Sequence, residues 1–88
     1  MISKDYIILA PEGIHARPAT MLVKLVKTFK SSVSLKKNSS MIKLNSMLAI
    51  LSIGAKGGDS INIIIDGEDE ATAAEALDVF FLEQLKNL

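Results

Sequence analysis

Gly13-Ile14-His15-Ala16-Arg17-Pro18-Ala19 is where the chain changes its period. Before it, Tyr6-Ile7-Ile8-Leu9-Ala10 is a short β-rich run closed by Pro11, Glu12 and Gly13, which reads as a strand and a loop. After it, Ala19, Leu22, Val23, Val26 and Phe29 or Lys30 recur at i, i+3, i+4 and i+7, with Lys24 and Lys27 off the stripe. Pro18 suits a first helical turn, where its missing N–H costs nothing. The stretch therefore joins a strand to an amphipathic helix predicted from Ala16 to Phe29.

The remaining elements follow by the same rules. Val33 and Leu35 alternate with Ser34 and Lys36, Asn38-Ser39-Ser40 turns the chain, and Met41 to Leu44 returns as an antiparallel partner. Asn45 and Ser46 have N-cap chemistry ahead of Met47-Leu48-Ala49-Ile50-Leu51-Ser52-Ile53, and Gly54 closes that short helix. Lys56-Gly57-Gly58-Asp59 is a loop before a fourth strand, Ile61 to Ile65. Glu68, Asp69 and Glu70 then open a helix with Ala74, Leu77, Phe80, Phe81 and Leu85 on one side. The order βαββαβα predicts an α+β fold. It is an open-faced two-layer sandwich, a four-stranded antiparallel sheet with three helices on one face. The length fits a single domain over residues 1–88.

Composition removes several classes of function. There is no cysteine, so disulfides, thiolate catalysis and thiolate metal sites are excluded. Ten basic residues balance ten acidic ones, which argues against binding a nucleic-acid backbone. No apolar run approaches the roughly 20 residues of a membrane span. The start, Met1-Ile2-Ser3-Lys4-Asp5-Tyr6, lacks the basic region and apolar core of a signal peptide, so a soluble cytoplasmic protein is expected.

His15 and Arg17 are the only histidine and the only arginine. A helix start presents unpaired N–H groups and a positive dipole end, both favourable to anions. A nitrogen nucleophile, a planar cation and a helix start are the parts needed to hold a phosphoryl group on an imidazole. Zinc needs several His or Cys ligands, so no metal is expected at a lone histidine. A hydrolase triad has no supporting motif, and the Asp66 to Glu70 cluster lacks the alternation of a calcium loop and reads as a helix N-terminus. Ser46 reads first as an N-cap. A phosphate there adds about −1.5 to −2 charge at a helix start that tolerates it. Of Met47, Leu48 and Leu51, one or two are expected to point inward and at least one outward.

The stretch from Gly13 to Ala19 resembles the active-site motif of the HPr family, the histidine-containing phosphocarriers of the phosphoenolpyruvate-dependent sugar phosphotransferase system. Ser46 opening the second helix, Gly54 after it and Gly67-Glu68-Asp69-Glu70 before the last helix agree with that resemblance, which spans essentially the whole chain. It implies that His15 accepts phosphate on Nδ1 from phosphorylated enzyme I and passes it to a sugar-specific enzyme IIA domain. No cofactor is implied. Arg17 and the backbone N–H groups of Ala16 and Arg17 would cradle the phosphoryl oxygens. Ser46 would match a regulatory serine modified by an HPr kinase/phosphorylase, and Thr20, Met47, Leu48 and Leu51 would dock partners. Such a carrier is not itself an enzyme, and docking by successive partners favours a monomer.

The chain departs from the family pattern around Ser46, with Ala49 at a usual glycine position, Met47-Leu48 for a common Ile-Met pair, and a variant loop from Gly54 to Asp59. Glu12 is a further variable position, and its carboxylate is expected to lie close enough to favour the imidazolium form of His15. The alternative reading is a regulatory HPr-like binding module, serving a nitrogen branch of phosphotransfer or a transcription regulator.

Overall fold

A computed structural model of the chain describes all of residues 1–88. Its elements are β1 (Ile2–Ile7), α1 (Ala16–Lys27), β2 (Ser32–Lys37), β3 (Ser40–Lys43), α2 (Met47–Ile53), β4 (Ser60–Asp66) and α3 (Glu70–Val79). The strands form one sheet in the order β1-β4-β2-β3, with every neighbouring pair antiparallel. The last strand in sequence thus lies between β1 and β2. Ile61, Ile63 and Ile65 supply its buried face, because side chains two apart share one side of a strand. Val33 and Leu35 lie opposite Ile65 and Ile63 and extend this apolar layer across the sheet.

The helices cover that layer. Ala19, Leu22 and Val26 of α1, Ile50 of α2, and Ala73, Ala74 and Leu77 of α3 are all buried in one core. The opposite face carries exposed polar residues such as Ser3, Asp5, Ser60 and Lys36, as alternation requires. A two-residue turn joins Lys37 to its partner Ser40, with Asn38 at φ 56°, a left-handed conformation that asparagine tolerates better than most residues.

The first strand differs from the sequence expectation of Tyr6 to Ala10. It begins at Ile2, and its pairing with β4 stops at Ile7 opposite Ser60. Lys4 occupies an inward position, and its ammonium meets Asp78 of α3 at 2.5 Å. That inward lysine interrupts the apolar alternation that would mark the strand. Ile8 is buried but belongs to the following loop, where its backbone bonds to Gly58 and Asp59.

The last helix also changes character. Beyond Val79 it widens into a π-helical turn, Phe80–Gln84, and ends as a 3₁₀ turn, Leu85–Asn87. The adjacent rings of Phe80 and Phe81 are both about fully buried, at 1% exposure each. Phe81 stacks on Tyr6 with ring centroids 4.8 Å apart, and Phe80 meets Phe81 edge-on at 5.2 Å. The wider turn accompanies the burial of two consecutive aromatic side chains, which a regular 3.6-residue helix directs about 100° apart.

Candidate functional site at the start of the first helix

His15 is the N-cap residue of α1, with an extended backbone at φ −87° and ψ −170°. Its ring makes no capping hydrogen bond, and its side chain is 35% exposed. The carboxylate of Glu12 stands 3.4 Å from Nε2, so the proximity expected of Glu12 is present. Protein charge thus approaches the ring at Nε2.

The helix end itself is left open. Ala19 N–H donates to the His15 carbonyl at 3.0 Å, which closes the first turn. Pro18 has no N–H to offer. The amides of Ala16 and Arg17 find no acceptor in the protein. No acidic side chain occupies the first turn, although acids there are the usual complement to the dipole. The exposed guanidinium of Arg17 takes part in none of the ion pairs. Two N–H groups and a guanidinium without protein partners, at a positive helix end, therefore directly follow His15, whose imidazole is partly exposed.

The loop that carries His15 is held closely. Gly13 adopts φ 70°, and a Cβ added there would stand 2.1 Å from the Ala55 carbonyl oxygen. Only glycine meets both demands. Ile14 N–H donates to that same oxygen at 3.0 Å, and Ile14 and Ala55 are both buried. Gly57 has the same close approach, with Ala10 and Pro11 oxygens 2.7 Å from the position of a Cβ. The segment after α2 is thus a platform on which the His15 loop rests, and this contact lies beyond what spacing in the sequence can reveal.

The second helix lies beside the first. Ser46 is its N-cap, and Ser46 Oγ accepts a hydrogen bond from Ala49 N–H at 3.3 Å. Gly54 ends it in the left-handed region at φ 67° and ψ 39°. Thr20 Oγ1 donates to the Ala16 carbonyl at 2.9 Å and approaches Met47 Sδ at 3.2 Å, so the first turns of both helices touch. None of Met47, Leu48 and Leu51 is buried, contrary to the expectation that one or two point inward. Ile50 fills that inward position, and Leu48 is 79% exposed. Leaving a leucine in water forgoes about 1.5–3 kcal/mol of burial, so the exposure of Leu48 is not explained by packing within the chain. Met21 of α1 is also exposed. Its signal in the sequence was an apolar residue off the buried stripe of α1.

The acid cluster before α3 has divided roles. Glu70 Oε1 accepts from Gly67 N–H at 3.2 Å, as expected of a helix start. Asp69 turns its carboxylate away from α3 and accepts from Lys30 N–H at 2.8 Å, from Ser31 N–H at 2.9 Å, and from the Ser31 hydroxyl. The Ser31 hydroxyl, followed by the Lys30 amide, holds its carboxyl below the usual aspartate range. No helix of the structure is long and apolar enough to cross a membrane.

The PTS-HPr family profile, described as the PTS HPr component phosphorylation site, matches residues 2–83. The fold is similar to the histidine-containing phosphocarrier protein of a Mycoplasma, with a TM-score of 0.90, 28% identity and coverage of 96% of each chain. It is similar to HPr-C-His of Thermoanaerobacter tengcongensis, with a TM-score of 0.89, 27% identity and coverage of 100% of this chain and 98% of that one. It also resembles Crh, the catabolite repression containing protein of Bacillus subtilis, at a TM-score of 0.75 and 28% identity, covering 96% and 97% of the two chains. That structure is described as a swapped-domain dimer. The open four-stranded sheet, the three helices and the profile match agree, and the chain belongs to the HPr family of phosphocarriers of the phosphotransferase system.

Proposed function

We propose that Nδ1 of His15 is the phosphoryl acceptor, charged by phosphorylated enzyme I and discharged to an enzyme IIA domain. The observation that carries this reading is the open helix end around His15, with the Ala16 and Arg17 amides and the Arg17 guanidinium free of protein acceptors. Glu12 stands at Nε2, the ring nitrogen not assigned to the phosphoryl group. A charge-assisted hydrogen bond contributes about 1.5–3 kcal/mol, and a helix end up to about 2 kcal/mol. Contacts of this size orient a phosphoryl group and still release it to the next acceptor. In-line geometry and charge stabilisation come largely from the complex with each partner. Half-buried Thr20 and exposed Met47, Leu48 and Leu51 supply a docking face on α1 and α2.

Ser46 is proposed as a second, regulatory phosphorylation site for an HPr kinase/phosphorylase. Its half-exposed hydroxyl opens a helix whose first turn has no acidic side chain, so a phosphate there meets no like charge on its own turn. The likeness to Crh, a catabolite repression containing protein, supports a regulatory use of this fold. The retained His15 and Arg17 favour the carrier role over a purely serine-signalling one.

Incubation with phosphoenolpyruvate and enzyme I tests the reading. The chain should gain one acid-labile phosphate, and His15→Ala should gain none while keeping its circular dichroism spectrum. Equal labelling of His15→Ala would remove His15 from the role.

A further inference from the structure

The platform under the His15 loop is itself pinned by one pair of charges. Lys37, the last residue of β2, sends its ammonium to the Gly54 carbonyl at 3.0 Å and to Asp59 Oδ2 at 2.9 Å. These two acceptors are the two ends of the platform, the cap of α2 and the residue just before β4. Asp59 also closes the platform internally. Its Oδ2 accepts from Lys56 N–H at 2.8 Å, and its own N–H donates to the Lys56 carbonyl at 3.0 Å. The Lys37 side chain is only 20% exposed and that of Asp59 32% exposed, so water screens this pair less than the surface pairs.

On its other side the platform contacts the segment leading to His15. Asp59 carbonyl accepts from Ile8 N–H at 2.9 Å, and Gly58 N–H donates to the Ile8 carbonyl at 2.8 Å. Gly57 packs on Ala10 and Pro11, and Ala55 on Gly13 and Ile14. A shift of the platform therefore transmits directly to the backbone that sets the His15 ring.

We propose that Lys37 and Asp59 are positioning residues for phosphoryl transfer, a clamp that fixes the Gly54–Asp59 platform and, through it, the orientation of His15 against the start of α1. The proposal rests on His15 being the phosphoryl acceptor. Neither residue touches the imidazole or the phosphoryl cradle. Small misplacements of a reacting atom are costly because in-line attack tolerates little angular error.

The test uses the full chain with Lys37→Gln, Lys37→Arg and Asp59→Asn. Amide spectra locate the structural change, and steady-state assays with enzyme I and phosphoenolpyruvate report transfer. Lys37→Gln is expected to displace the amide resonances of Ile14, Ala16 and Arg17. It should also lower kcat at least about fivefold with KM for enzyme I unchanged. Lys37→Arg retains donors for both acceptors and should restore the rate. If Lys37→Gln melts below the assay temperature, Asp59→Asn, which keeps the Lys56 contact and loses the charge, carries the same comparison. A wild-type kcat, or amide displacements confined to residues 54–59, overturns the proposal. If the unmodified chain gains no phosphate, the reading of His15 fails instead, and the amide spectra alone decide whether the clamp controls the loop.

Discussion

Two places in this molecule gather backbone N–H groups around a spot for a negative charge. At the turn between α1 and β2, Lys30 and Ser31 offer two amides and a hydroxyl, and the Asp69 carboxylate fills the spot from across the fold. At the start of α1, Ala16 and Arg17 offer two amides and a guanidinium, and no side chain of the protein fills the spot. The first arrangement ties two loops, 38 residues apart in sequence, into the native structure. The second leaves its donors unspent beside His15, the proposed phosphoryl acceptor. The same chemistry stabilises where the anion is built in, and under the proposed function it would serve transfer where the anion must arrive and depart.

Substitutions at the two places should separate these roles, in order of their effect on stability. Gly13→Ala should have the largest effect. It demands a left-handed alanine and a Cβ 2.1 Å from the Ala55 carbonyl, at a combined cost of about 2–5 kcal/mol. Chemical denaturation should record that loss, and the open site should lose transfer activity with it.

Asp69→Asn should come next, with a lower melting temperature at neutral pH and an unchanged rate of phosphate gain. The native Asp69 carboxyl is held below its ordinary value of 3.8. Its stabilisation is therefore complete above that value and is lost as the pH falls through the lowered native one. The gap in melting temperature between wild type and Asp69→Asn should close over that acid range. A gap that persisted unchanged there would separate the carboxylate charge from the role assigned to it.

Arg17→Ala should have the smallest effect on stability, and in the opposite direction. Removing a cation from a helix start gains about 0.3–1 kcal/mol. Phosphoryl transfer should slow by roughly 10- to 100-fold, the loss of one charge-assisted contact. A marked fall in melting temperature would make Arg17 a structural residue and erase the contrast between the two places.

Much of this was readable from residue order. Helical spacing marked α1 from its first residue, and the Ser46 and Gly54 caps bracketed α2 to the residue. His15 and Arg17 stood out because their types are unique in the chain and adjoin a helix start. The rest depended on contacts distant in sequence. β1 was displaced because the inward Lys4 finds its partner on α3, 74 residues away. Asp69 looked like a dipole complement, since nothing local announces that its acceptors serve Lys30 and Ser31. Nothing local couples Lys37 to Asp59, which meet only where the hairpin and the platform come together.

The most direct test of the central claim is a pair of spectra of the chain before and after charging by enzyme I. Phosphorus and nitrogen signals should report a single phosphate bonded to Nδ1 of His15. The amide protons of Ala16 and Arg17 should move downfield as they acquire an acceptor, while those of Lys30 and Ser31, already bonded to Asp69, should stay in place. A phosphate elsewhere than His15 Nδ1, or Ala16 and Arg17 amides that do not move, would contradict the account.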